Sequence, residues 1–256
     1  MRRLWPPGPD LGDDLDAALL RHYAYPDGLS APRVRVNFVA SLDGAVSVDG
    51  LSGGLGSAAD KAVFGVLRRL ADVVLVGAGT VRAEGYRGAR RPTVGRALPP
   101  PIAVVTGSAG LDPGARLFTD TAVAPIVLTT AGAPGERRDA LRAAGADVVE
   151  LPDLAPPTLL AELGRRGLHR VLCEGGPALH GALAAADAVD ELCLTLSPTL
   201  VGGDAGRIAT GPSTMRPMCL AGALLDPRAL LLHYVRPDDS DDFPDDVPID
   251  RSGDTA

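Results

Sequence analysis

Arg170-Val171-Leu172-Cys173-Glu174-Gly175-Gly176-Pro177-Ala178-Leu179-His180-Gly181-Ala182-Leu183-Ala184-Ala185 reads as strand, turn and helix in one short stretch. A short apolar run stops at two glycines. A proline then stands where it can occupy the first turn of a helix, and small and aliphatic residues carry that helix to about Ala185. The same rhythm precedes it: strands Ile102 to Thr106 and Ile126 to Thr129, helix Glu136 to Ala144, strand Val148 to Leu151, helix Pro157 to Arg166. Strand Glu191 to Ser197 follows, and Leu230 to Val235 is expected to close the sheet as an antiparallel edge. Repeated strand-helix alternation with short links predicts an α/β fold with a largely parallel central sheet and helices on its faces.

Toward the N-terminus, Val34 to Ser41 reads as a strand, Asp43-Gly44 as a tight turn, Ala45 to Val48 as a second strand and Asp49-Gly50 as another turn. Ser57 followed by Asp60 is a capping signature, and Ala62, Val63, Val66, Leu67 and Leu70 share one face, so a helix is expected from about Ala58 to Arg69. Val73-Val74-Leu75-Val76 is wholly apolar, as a strand covered on both faces would be, and ends at the turn Gly77-Ala78-Gly79-Thr80. Before these lies an extension, residues 1–32, with one helix spaced on Leu11, Leu15, Leu19 and Leu20. The main domain is expected over residues 33–236.

The 256 residues are 46% hydrophobic but only 4% aromatic, which predicts an aliphatic core. The net charge of −7 sits in residues 237–256, which hold eight aspartates and are read as an acidic disordered tail. Without that tail the chain is near neutral, with no basic footprint for nucleic acid. Cys173, Cys193 and Cys219 have no paired or metal-type spacing, and the four histidines offer no ligand set. No apolar signal core or membrane span is seen, so a reducing cytoplasmic setting and no metal are expected.

In a sheet of this kind ligands sit beyond the carboxyl ends of the strands. Glycines at 175 and 176 let a phosphate approach the backbone, and the helix opening at Pro177 points N–H groups at it; an ordinary tight strand-to-helix turn reads equally well. Gly77-Ala78-Gly79-Thr80 fails the dinucleotide fingerprint, because the third glycine would fall at Arg82. Asp43 reads either as a proton-delivering carboxyl or as a plain Asp-Gly turn. Arg68 and Arg69 read either as anion contacts or as partners of the helix dipole. A phosphate-loop lysine, a zinc-deaminase motif and a serine elbow are all missing from the sequence.

Taken together, residues 36–44, the Ser57-capped helix, residues 71–82, Glu174 to Leu179, Val189-Asp190-Glu191-Leu192 and the segment from Ser197-Pro198 to Gly202-Gly203 resemble the reductase domain of bacterial riboflavin biosynthesis. The resemblance runs from about Val34 to Val235, and a chain lacking the deaminase half looks like the stand-alone actinobacterial members. It implies a dihydrofolate-reductase-like three-layer fold and a homodimer. It also implies NADPH-dependent reduction of a pyrimidine of the 5-amino-6-(5-phosphoribosylamino)uracil type. A dihydrofolate or pterin reductase on the same fold and a non-catalytic NADPH-binding module are the alternatives. By position, the resemblance puts Ala40, Gly54, Gly77, Thr80, Glu84, Thr106, Ser108, Gly175, Gly176, Pro177, Ala178 and Leu179 at the cofactor. It puts Asn37, Ser41, Ser52, Arg68 and Glu174 at the substrate, and Asp43 at the catalytic step. Two positions depart from the family: Gly107 replaces a basic residue suited to the 2′-phosphate of NADPH, and residues 85–92 differ from the segment that holds the ribose phosphate.

Overall fold

The computed structural model describes residues 1–237, so the acidic stretch beyond Pro237 lies outside the described residues. Ten strands form one sheet in the order β1-β9-β10-β8-β2-β7-β3-β4-β5-β6. The six strands β2 (Arg33–Ala40), β3 (Val73–Gly77), β4 (Ile102–Val105), β5 (Ile126–Thr130), β6 (Asp147–Leu151) and β7 (Arg170–Cys173) run parallel, and β8 (Glu191–Leu196) continues parallel to β2. The mostly parallel α/β sheet expected from the alternation is therefore present.

The apolar run in β3 shows why the sheet has two covered faces. Side chains alternate along a strand. Val74 and Val76 belong to one apolar cluster with Val63, Leu67 and Leu70 of α2 (Ala58–Leu70), while Val73 and Leu75 belong to a second with Leu159 and Leu163 of α6 (Pro156–Arg165) and Leu183 of α7 (Pro177–Ala185). Each of the four is fully buried, a contribution of about 1.5–3 kcal/mol apiece. Helix α2 starts where the Ser57 hydroxyl accepts the Asp60 N–H at 3.1 Å.

Three expectations change. Ala45 to Val48 is not a strand: Val46 donates to the Gly206 carbonyl, and only Val48 and Leu51 bridge across the Asp49-Gly50 turn, so no second chain is available to extend a ladder. Gly77 to Thr80 is not an open turn, because α3 (Ala78–Ala83) begins directly at the end of β3. Leu230 to Val235 belongs to β10 (Ala229–Val235), which is antiparallel as expected but interior, lying between β8 and β9 (Cys219–Asp226). The edge is instead β1 (Arg2–Trp5), pairing with β9, and the helix of the first 32 residues is α1 (Leu15–His22).

At the amino ends of the parallel strands, Glu191 accepts from Arg33 at 2.6 Å, from the fully buried Arg35 at 2.6 Å and from His233 at 3.0 Å. Arg35 also donates to the Tyr23 carbonyl at 2.7 Å, tying the end of α1 to the sheet. His22, beside this cluster, is held near 4 by burial and then by the positive charges of His233, Arg3 and Arg35. Burial alone raises Glu191, but the His233 hydrogen bond and the Arg35 charge bring it down to about 2. Below its ordinary value of 6.5, His22 binds a proton in the unfolded chain before the folded one. Its contribution is therefore complete above pH 6.5 and drains as pH falls to about 4. The Glu191 contribution is complete above pH 4.5 and drains toward pH 2. Melting temperature should thus fall steadily below pH 6.5. In His22→Gln the slope between pH 6.5 and 4.5 should flatten, and an unchanged slope would remove His22 from the account.

Candidate active site

Strand β2 is longer than its neighbour β7. Residues 33–36 pair with β7, which then stops at Cys173, while residues 37–40 continue against β8 alone. The gap left beside Asn37, Phe38 and Val39 opens into a cleft of about 850 Å³ at the carboxyl edge of the sheet. Its floor is glycine. Gly77 ends β3, Gly79 and Thr80 open α3, and Gly175 to Leu179 form the turn and first residues of α7.

Close approach explains these glycines. A Cβ on Gly176 would stand 2.8 Å from Thr80 Oγ1, and one on Gly77 would stand 3.3 Å from the Gly176 nitrogen. Gly77 N–H donates to the Gly175 carbonyl at 2.8 Å, so the two turns are stitched together. Helix α7 has Gly176 as its N-cap residue, no side-chain cap and Pro177 in its first turn. Its opening N–H groups remain available to an anion, in a place where bare backbone lets that anion come near.

The polar wall is built on α2 and β7. Arg68 makes a two-pronged contact with Glu174, Nε to Oε1 at 2.7 Å and Nη2 to Oε2 at 2.6 Å. Tyr86 Oη donates to the same Oε2 at 2.7 Å. Burial and then the Glu174 charge push the Tyr86 phenol well above 10, so it stays a donor at neutral pH. The Arg68 guanidinium also lies 4.5 Å over the Phe64 ring. Lys61, Phe64 and Arg68 share the cleft face of α2 at helical spacing. Opposite, Glu84 accepts the Ser52 N–H at 2.9 Å and forms no ion pair among the described residues.

Of the positions expected at a site, Asn37, Ser52, Arg68, Gly77, Thr80, Glu84, Glu174, Gly175, Gly176, Pro177, Ala178 and Leu179 are brought together in this cleft. Gly54 packs beside Val48 outside it. Thr106 and Ser108 lie past the end of β4, one strand over from Gly77. Ala40, Ser41 and Asp43 line a smaller neighbouring hollow instead.

Asp43, read from the sequence at the catalytic step, has partners of its own. Its carboxylate accepts the Gly202 N–H at 2.7 Å and the Val201 N–H at 3.1 Å, and the Ser41 hydroxyl also donates to it. The Ser41 and then the Gly202 hydrogen bonds hold it near 2. A carboxylate so held is ionised across the neutral range and anchors the 201–202 backbone. Asp43→Asn is expected to leave the affinity for a nicotinamide cofactor within about twofold in a fluorescence titration, because an exposed anchor outside the cleft lining shifts binding by at most a few tenths of a kcal/mol.

Tyr86, Lys61, Phe64 and Arg116 also line the cleft and were not singled out as site residues by sequence. The spacing of Lys61, Phe64 and Arg68 on one helical face was the signal available for two of them.

A family model described as the RibD C-terminal domain matches residues 32–228, a span that contains the whole cleft. The chain belongs to the RibD C-terminal domain family. Riboflavin biosynthesis protein RibD of Bacillus amyloliquefaciens is 32% identical over 180 residues, covering 67% of this chain and 47% of that protein. The 2,5-diamino-6-ribosylamino-4(3H)-pyrimidinone 5′-phosphate reductase of Archaeoglobus fulgidus is 30% identical over 197 residues, covering 72% of this chain and 89% of that protein. This RibD-family chain thus spans about half the length of some of the RibD proteins it matches. A crystal structure of a pyrimidine reductase-like protein from Corynebacterium diphtheriae superposes with a TM-score of 0.73 at 24% identity, covering 81% of this chain and 93% of that one, which is a likeness of fold. No helix among the described residues is long and apolar enough to cross a membrane.

Proposed function

We propose that this chain is an NADPH-dependent reductase that converts the ribosyl group of a phosphorylated ribosylaminopyrimidine to ribityl, a step of riboflavin biosynthesis. The observation that carries the proposal is the glycine cradle at the head of the cleft, faced by a wall of Asn37, Ser52, Arg68, Glu84 and Glu174. The cradle suits a pyrophosphate: side chains are excluded at Gly77 and Gly176, the α7 N–H groups are uncapped, and Thr80 brings a hydroxyl. Relatives named as pyrimidinone phosphate reductases support the substrate class.

The nicotinamide, when bound, supplies a hydride. Opening the ribose ring breaks the C1′–O4′ bond, hydride adds at C1′, and O4′ takes up a proton as the 4′-hydroxyl. The protein's part is orientation and proton handling. Glu84, fixed by the Ser52 N–H and without an ion pair among the described residues, is the carboxyl assigned to that proton in place of Asp43. Arg68, Glu174 and Tyr86 form a rigid wall against which the pyrimidine is oriented. The reading carries with it a homodimer, which sedimentation would check.

NADPH oxidation followed with 2,5-diamino-6-ribosylamino-4(3H)-pyrimidinone 5′-phosphate and, separately, with dihydrofolate tests the proposal. Turnover of the pyrimidine with little on dihydrofolate is expected. The reverse order would assign the cleft to a pterin.

A further inference from the structure

The segment after α3, residues 85–92, packs against residues 120–121. A Cβ at Gly88 would lie 2.3 Å from Thr121 Oγ1 and 2.6 Å from Thr121 Cβ, and the Gly88 N–H donates to the Asp120 carbonyl at 3.1 Å. Glycine at 88 therefore lets this segment press directly onto residues 120–121. That contact sets Arg87 and Arg90 beside the short helix α4 (Arg116–Thr119). The Asp120 carboxylate then takes Arg90 at 2.7 Å, Arg116 at 3.2 Å and Arg87 at 4.0 Å. Three guanidinium groups share one carboxylate, and among the ion pairs of the described residues none neutralises the other two.

Arg87 and Arg116 both line the cleft; Arg91 instead turns toward Asp16 at 3.8 Å. Lys61 lines the same cleft from α2 and has no ion pair among the described residues. Arg68, by contrast, already spends both prongs on Glu174, whose side chain is only 2% exposed. A substrate anion could recruit Arg68 only by leaving a buried carboxylate without its cation, which is strongly unfavourable.

Resting on the reductase reading above, we propose that Arg116 together with Arg87 binds the dianionic far end of the substrate, a phosphate monoester, and that Arg68 is a positioning residue that holds Glu174. Arg116 lies some thirty residues beyond the motif that carries this task by resemblance, and the Gly88 contact is what delivers Arg87 to it. Paired guanidinium groups with excess positive charge suit a dianion better than a single carboxylate.

Calorimetric titration of the protein, with NADP⁺ present, against the pyrimidinone 5′-phosphate and its dephosphorylated form tests this directly. Arg116→Gln should weaken the phosphorylated ligand by about tenfold or more and leave the dephosphorylated one unchanged. Gly88→Ala should reproduce the same selective loss without touching a charge. Equal weakening of both ligands, or none, overturns the proposal. Should the wild type bind dihydrofolate and not the pyrimidine, the pyrimidine-substrate reading falls. In that case the arginine site stands only if Arg116→Gln weakens dihydrofolate more than dihydropteroate, which lacks the glutamate carboxylates. Failure to bind any of these ligands overturns it as well.

Discussion

Glu174→Ala is expected to cost about 3–5 kcal/mol of stability, a fall in Tm on the order of 10 °C, and to abolish turnover. The side chain accepts both prongs of Arg68 and the Tyr86 hydroxyl within 2.7 Å. Removing it strands a guanidinium whose side chain is 20% exposed and leaves a phenol donor without an acceptor. The penalty is the unpaired charge rather than the lost contact, so Glu174→Gln should also be costly although its shape is kept. Tyr86→Phe, which removes a single donor to an acceptor that retains Arg68, should cost only about 1 kcal/mol. Thermal melts of the three variants check the order. A Glu174→Ala protein as stable as Tyr86→Phe would mean that the ion pair is not the keystone of the wall.

Gly176→Ala should raise the Kd for NADPH by about tenfold or more. The backbone itself would accept alanine, since φ at Gly176 is −74°. The obstacle is the 2.8 Å approach of the added carbon to Thr80 Oγ1. Either the threonine turns out of the cradle or the turn moves off α3, and both disturb groups assigned to the phosphates. Because α7 need not unfold, Tm should change far less than in Glu174→Ala. Fluorescence titration with NADPH reads the effect, and an unchanged Kd would place the cofactor elsewhere.

Much of this architecture was readable because its signals are local. The run Val73 to Val76, the Ser57 cap and the Gly175-Gly176-Pro177 turn each announce an element within a few residues, and each element formed. Strands β1 and β9 were not readable, because Arg2 finds its partner at Leu225 and neither segment has a strong strand pattern alone. The site divides in the same way. The glycine turn at the head of the cleft was legible because Gly175-Gly176-Pro177 is written in consecutive residues. The Arg68–Glu174 pair spans 106 positions, and Tyr86 joins it across 88. The partners of Asp43 were hidden for the same reason: the local Asp-Gly turn shows only a carboxyl, while the amides that bond it come from 158 and 159 positions away. Arg116, carried on a helix of four residues, gave no sequence signal of its own.

Hydride transfer from a nicotinamide to the sugar carbon of a phosphorylated pyrimidine is the chemistry proposed for the cleft. Incubation with NADPH deuterated at the transferring position of C4 and the pyrimidinone 5′-phosphate, followed by mass and NMR analysis of the product, tests it most directly. One deuterium is expected, at C1′ of a ribityl chain. NADPH left unconsumed, or a product carrying no label, would contradict it.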